Sequence, residues 1–327
     1  QGHCGEIEII VGRKLLRMLI YGGGKRAATQ NYHMEGSMNY QVANEIIKLV
    51  VSDHGAEMQS ITKDGHEYLW SGDAKYWKEH APVLFPYVGR FTDGKYTLNG
   101  TEYEMGIHGF AKRNEFTVIR QEDNKLVFEL RDNEETRKEY PCAFVLTVTY
   151  ELKGNMIAIE YKVNNPSDER MFFGIGAHPG FSVPLEEELS FEDYYLEFSR
   201  NSRPYRIGMS ETCFLNGKDS EYELAGGNRI NLKHDLFDND AIVLKDIADE
   251  VTIGSDKGSR KVTVSYPDFP YIGFWHAPKK DAPYVCVEPW VSLPSRQGIV
   301  EEFMDKCDMV RLDAHKEYSN KWSIKID

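Results

Sequence analysis

The sequence has few cysteines, and they are badly placed for cross-links. Five occur in 327 residues, at Cys4, Cys142, Cys213, Cys286 and Cys307. The number is odd, and no pair has disulfide-framework or metal-ligand spacing. A chain held together by disulfides or by a structural zinc is therefore not expected, and a reducing, cytoplasmic setting fits. Basic charge is also scarce. The net charge is −13, whereas a nucleic-acid or anionic-membrane binder needs a basic face. No apolar run approaches the length of a membrane span. No helical period persists beyond about two turns, and no Gly-, Ser- or Pro-rich linker divides residues 38–327.

Residues 1–37 differ in composition. They carry Arg13, Lys14, Arg17, Lys25 and Arg26 against Glu6, Glu8 and Glu35, a net of +2 that leaves −15 for the rest. His33-Met34 and Gly36-Ser37 match what common cloning sites encode, so 1–37 is read as an expression-derived leader outside the fold. A signal peptide is the weaker alternative: Leu15–Tyr21 is short, is interrupted by Arg17, and lacks a small-residue cleavage site before Met38.

From Met38 onward the chain alternates with period two. Phe144, Leu146, Val148, Tyr150 and Leu152 lead into Lys153-Gly154-Asn155, and Ile157, Ile159, Tyr161 and Val163 return. Asn99-Gly100 is the strongest two-residue hairpin signal. Strands are expected at 46–51, 57–61, 126–130, 241–244, 251–253, 261–266, 272–275, 284–288 and 318–326, with a short helix at 299–304. Period-two alternation over successive segments predicts antiparallel sheets with one buried face. The expected fold is one all-β domain, a large antiparallel β-sandwich over 38–327.

Several polar residues stand out against this background. In Tyr284-Val285-Cys286-Val287-Glu288-Pro289-Trp290, the residues Tyr284, Cys286 and Glu288 share one face. Pro289, lacking an N–H, is expected to end the ladder. A carboxylate in that position is costly to ionise without a partner. Glu288 is then either a turn cap or Arg partner, or a catalytic group. His108 lies in Gly106-Ile107-His108-Gly109-Phe110, and His178 in Gly176-Ala177-His178-Pro179-Gly180-Phe181. The glycines allow backbone or ligand to approach each ring. Nothing nearby supplies a third ligand at regular spacing, so acid–base use ranks above metal binding. Arg90, after an apolar run and Gly89, is a strand end or a forked donor. Asp238 reads locally as a turn residue. Phe181, Trp275 and Trp290 are core or stacking residues.

Taken together, Pro82–Arg90, Ile107–Ala111, Ala177–Phe181, Phe237–Asp240 and Val287–Trp290 resemble, in order, the motifs of the aldose 1-epimerase (galactose mutarotase) family, with most similarity to its LacX-like branch. The resemblance implies a β-supersandwich that interconverts the α- and β-anomers of a free aldose without cofactor or metal. It implies Glu288 as general base and His178 as general acid. His108, Arg90 and Asp238 match sugar-binding positions, and Asp240 is a near neighbour of the last. Phe181 and Trp290 are expected to face the sugar. Many family members follow Glu-Pro-Trp with Gly and then Asp, where this chain has Val291-Ser292-Leu293-Pro294; its His-Pro-Gly-Phe also replaces the His-Thr-Tyr-Phe-Asn of the galactose enzymes. Both departures leave the choice of sugar open. Two other functions remain: a glycoside hydrolase using Glu288 with Asp238, which needs carboxyl groups about 5–9.5 Å apart, and a non-catalytic sugar-binding module.

Overall fold

The computed structural model describes residues 5–11, 14–20, 33–34 and 36–327. The chain divides into two units, Gln1–Asn31 and Tyr32–Asp327. The first contains a hairpin of Gly5–Val11 with Lys14–Ile20. The remainder of the expected leader, with Cys4, lies outside the described residues apart from the strand His33–Met34 and the start of Ser37–Ala43.

The second unit is built on two large antiparallel sheets. In the nine-stranded sheet the order is Thr117–Glu122, Lys125–Arg131, Val145–Lys153, Met156–Asn164, Glu317–Ile326, Val262–Ser265, Glu250–Ser255, Tyr194–Phe198 and Arg229–Asn231. The longest hairpin is the one the alternation predicts. Val145–Lys153 pairs with Met156–Asn164 throughout, and the inward residues Leu146, Val148, Tyr150, Ile157, Ile159 and Tyr161 are all buried. The eight-stranded sheet runs Ser220–Glu221, Tyr205–Arg206, Ile242–Lys245, Tyr271–Trp275, Tyr284–Trp290, Gly176–Ala177 and Val83–Leu84, with Gly180–Ser182 also paired to Tyr284–Trp290. A smaller sheet holds the strands between His33 and Glu67.

Alternation assigns the two faces of the eight-stranded sheet. Ile272, Phe274, Val285 and Val287 join a core shared with Ile253, Val264 and Ile324 of the nine-stranded sheet. Phe198 and Phe274 meet edge-to-face across it, with centroids 5.9 Å apart. This is a sandwich: each sheet buries one face against the other. The opposite face of the eight-stranded sheet carries Tyr271, Gly273 and Trp275 on one strand and Tyr284, Cys286, Glu288 and Trp290 on the next.

Two local expectations are corrected. The segment 299–304 is irregular backbone with a bridge at Glu302 and a turn from Phe303, not a helix, because its backbone pairs elsewhere. Thr97 N–H donates to Glu301 O, and Phe303 N–H donates to Thr97 O. The one α-helix among the described residues is Glu134–Glu139, capped by Asn133. Pro289 does not end its strand either; the strand runs to Trp290, with Pro289 opposite Ile272. Val287 and Val291 donate their N–H groups to Pro179 O and Ile175 O on the neighbouring segment. Residue 289 would direct its N–H to the same side. Its missing donor falls where that neighbour is interrupted, between Gly176–Ala177 and Gly180–Ser182, so the proline leaves a local gap in one ladder and keeps the strand.

Candidate active site

The interruption is where the chemistry lies. Gly180 pairs with Cys286 and Gly176 with Trp290, so His178 falls opposite Glu288. On the other side, Gly273 pairs with Glu288. A glycine there leaves space beside the carboxylate. A Cβ added at Gly273 would lie 3.3 Å from Glu288 Cβ, and one at Gly176 would meet Pro289 O at 3.0 Å.

His178 Nε2 and Glu288 Oε2 are 3.1 Å apart, and the two side chains are 9 % and 1 % exposed. The contact is out of line for a hydrogen bond, so neither carboxylate oxygen has a hydrogen-bond partner among the described residues. Burial pushes Glu288 well above the ordinary carboxylate range, and the Asp240 carboxylate adds to this. The nearby Trp290 indole N–H offsets part of the rise without reaching hydrogen-bond geometry. Burial pulls His178 down to about 3, and Lys112 adds to that effect. Low dielectric disfavours the charged form of each. Both shifts favour the neutral forms, and a single proton shared by the pair is favoured on the carboxyl.

His108 is fixed by backbone. Gly89 N–H donates to His108 Nδ1 at 3.0 Å, and His108 N–H donates to Gly89 O at 2.9 Å. Because a backbone N–H can only donate, Nδ1 accepts and Nε2 carries the proton. Burial keeps this ring neutral, with His178 next in effect. His108 itself has φ +64°. Gly109, at φ +71°, lets the turn pass so close to Phe85 O that a Cβ would sit 2.2 Å away.

These groups open onto a cavity of about 270 Å³. Its lining includes Trp77, Glu79, Arg90, His108, Lys112, His178, Asp240, Trp275, Glu288 and Trp290. Trp77 stacks obliquely on His178, with centroids 4.9 Å apart, and meets Trp275 edge-to-face at 5.6 Å. At the rim, Lys112 Nζ donates to Glu79 Oε1 at 2.9 Å. Arg90 and Ile107 are exposed.

Of the residues singled out in the sequence, Glu288, His178, His108, Arg90, Trp275 and Trp290 line this one cavity. Asp238 does not: it is exposed and closes the 3-10 turn His234–Phe237. Asp240, two residues on, takes the cavity position. Ala241 N–H and Cys213 Sγ–H donate to its carboxylate at 2.9 Å each. Phe181 is fully buried in the main core, opposite Val285, and does not line the cavity. Sequence reasoning missed Trp77, Glu79, Lys112 and Cys213. Their only sequence signal is residue type, since the loops that carry them are placed by non-local contacts. Cys142, Cys213, Cys286 and Cys307 are free thiols. No helix among the described residues is long and apolar enough to cross a membrane.

The chain and its fold are similar to several known proteins. Protein LacX (chromosomal) of Lactococcus lactis subsp. lactis is 33 % identical over 292 residues, covering 86 % of this chain and 97 % of the relative. The crystal structure of a galactose mutarotase related enzyme from Lactobacillus acidophilus superposes with a TM-score of 0.84 at 36 % identity, covering 89 % of this chain and 97 % of that one. A galactose mutarotase-like protein from Lactobacillus casei gives a TM-score of 0.84 at 33 % identity, over 88 % of this chain and all of the other. The family profile described as aldose 1-epimerase matches residues 38–325. With a profile match over most of its length and relatives of this similarity, the chain belongs to the aldose 1-epimerase family.

Proposed function

We propose that this protein is a mutarotase, interconverting the α- and β-anomers of a free aldose, with His178 and Glu288 as the proton-transfer pair. The observation that carries the reading is their 3.1 Å contact, buried at the floor of a cavity, with no hydrogen-bond partner for either carboxylate oxygen among the described residues. Mutarotation asks for one proton taken from the anomeric hydroxyl and one given to the ring oxygen. As O1 loses its proton, the C1–O1 bond becomes a carbonyl, the C1–O5 bond breaks, and O5 is protonated. Rotation about C1–C2 followed by the reverse steps gives the other anomer. The protein's proton count is unchanged, which suits a pair that holds a single proton.

In the sugar-free cavity that proton rests on Glu288. For Glu288 to act as the base, the proton passes to His178 once the 3.1 Å contact turns into line around a bound sugar, and His178 then delivers it to O5. The two arrangements have the same total charge, so the transfer leaves the site's net charge unchanged. A bound sugar's hydroxyls and the exposed Arg90 supply the polar surroundings in which the carboxylate form is tolerated. His108 Nε2–H is a donor and Asp240 an acceptor for ring hydroxyls, and Trp77, Trp275 and Trp290 offer apolar walls. The cavity lies near the lower end of small-molecule sites, about 300–1,000 Å³, which suits one sugar ring.

The test is anomer exchange followed by polarimetry or NMR over a panel of free and phosphorylated aldoses. Glu288→Gln and His178→Asn are each expected to lower the enzymatic rate by roughly 10²–10⁴-fold, the usual worth of a general acid or base, while sugar binding survives. Near-full rates in both variants would refute the assignment. Release of reducing sugar from a glycoside would point to a hydrolase instead.

A further inference from the structure

The sequence showed no metal-ligand set around either histidine, and the fold gathers one around His178. Cys286 is two residues before Glu288 on the same strand face and is fully buried. One ligand atom from each of His178, Cys286 and Glu288 lies within 4.8 Å of the other two. Around a tetrahedral ion with bonds of about 2.0–2.3 Å, neighbouring donors stand roughly 3.3–3.6 Å apart. The His178–Glu288 edge, at 3.1 Å, is already close to this. The widest separation these limits allow, 4.8 Å, closes with about an ångström of side-chain movement. A second observation is independent of the spacing. Glu288 is 1 % exposed, yet both its oxygens lack hydrogen-bond partners among the described residues.

We propose that His178, Cys286 and Glu288 form a binding site for a borderline-soft divalent cation, Zn²⁺ or Cd²⁺, that enters from the cavity and competes with the sugar. The three donors occupy one side of the ion, and the fourth position faces the cavity that His178 and Glu288 line. A thiolate selects Zn²⁺ and Cd²⁺ over oxygen-seeking Mg²⁺ and Ca²⁺. The balance is straightforward. The thiol releases its proton and the His–Glu pair releases its one proton. Thiolate, carboxylate and neutral imidazole then hold a dication at zero net charge. Such neutrality matters in a site backed by Trp70, Trp77, Trp275 and Tyr284, where an uncompensated charge is expensive.

The test uses the full chain. Cd²⁺ is titrated in while the thiolate-to-cadmium charge-transfer absorption is followed, and Zn²⁺ is measured by competition against it. The expected result is one equivalent of tight binding that Mg²⁺ does not displace. Cys286→Ser is expected to abolish the band, and His178→Gln, which keeps the thiol, to weaken binding at least tenfold. Cys213→Ser and Cys307→Ser are expected to keep the band, which separates this site from the other thiols. Should Cys286→Ser fail to fold by circular dichroism, His178→Gln decides. The proposal is overturned if the wild type shows no stoichiometric band, if Cys286→Ser retains it, or if His178→Gln binds as tightly as wild type. Metal binding with these dependences in a protein that shows no mutarotation would uphold the metal site and sink the proposed activity.

Discussion

At the scale of single residues, Glu288 and His178 leave opposite marks on stability. Glu288 ionises near 4.5 when unperturbed, and burial lifts it well above that in the fold. Between those two points the native state binds the extra proton, so stability falls as pH rises through the window. His178 runs the other way. Its ordinary value is 6.5 and its folded value about 3. Between them the unfolded chain binds more protons, so stability rises with pH and levels off above 6.5. Glu288→Gln removes the first trend. A buried amide adds its own cost, but that cost does not change with pH, so the slope is the diagnostic. The melting temperature of Glu288→Gln minus that of wild type is expected to climb steadily as pH rises above 4.5. For His178→Asn the difference from wild type is expected to be largest in acid and to flatten above pH 6.5. Thermal unfolding from pH 4 to 9 checks both. Differences that stay constant across the range would mean that neither group's folded pKa departs from its unfolded value.

At the scale of elements, the wall above His178 is a loop held by one carboxylate. Glu57 Oε1 accepts the N–H groups of His80 and Ala81 at 2.7 and 2.9 Å. The Trp70 indole donates to Trp77 O at 2.8 Å, and His80 Nδ1 donates to Trp70 O at 2.7 Å. These bonds set the Trp77 ring against His178. Glu57→Ala strands two backbone donors, a loss of about 2–6 kcal/mol at roughly 1–3 kcal/mol for each buried unsatisfied group. It is expected to raise KM more than it lowers kcat, because no proton-transfer group is removed. Amide exchange at 74–81 should quicken relative to the core strands; unchanged exchange there would show that Glu57 does not hold the loop. None of this was legible in the sequence. The hairpin at 145–164 was, because period-two alternation and Gly154 are local signals. The candidate pair was legible as Glu288 and His178 but not as neighbours, because their register depends on a pairing more than a hundred residues apart. Trp77, Asp240 and Cys286 gained their roles from the same non-local contacts. The helix expected at 299–304 failed because Thr97 claims that backbone.

At the scale of the whole molecule, one late strand joins the halves of a sheet. Glu317–Ile326 lies between Met156–Asn164 and Val262–Ser265, pairing Ile157 with Ile324 on one side and Val264 with Ile324 on the other. Its inward side chains, Trp322, Ile324 and Ile326, are buried in the core. The alternation of 318–326 announced a strand; only its two partners reveal that it is internal. Without it the nine-stranded sheet becomes two sheets with two new unpaired edges, each a template for aggregation. The contacts it makes also span long stretches of chain, so closing the sheet is slow by the usual dependence of rate on contact separation. Deleting 317–327 is therefore expected to abolish cooperative thermal unfolding and send the protein to the insoluble fraction. Deleting 1–31, which form a unit separate from 32–327, is expected to leave the melting temperature and anomer exchange within error of the full chain. The two truncations are read side by side by calorimetry. A cooperative transition in the chain lacking 317–327 would mean that the two half-sheets fold independently, and the site on the facing sheet would then need only one of them.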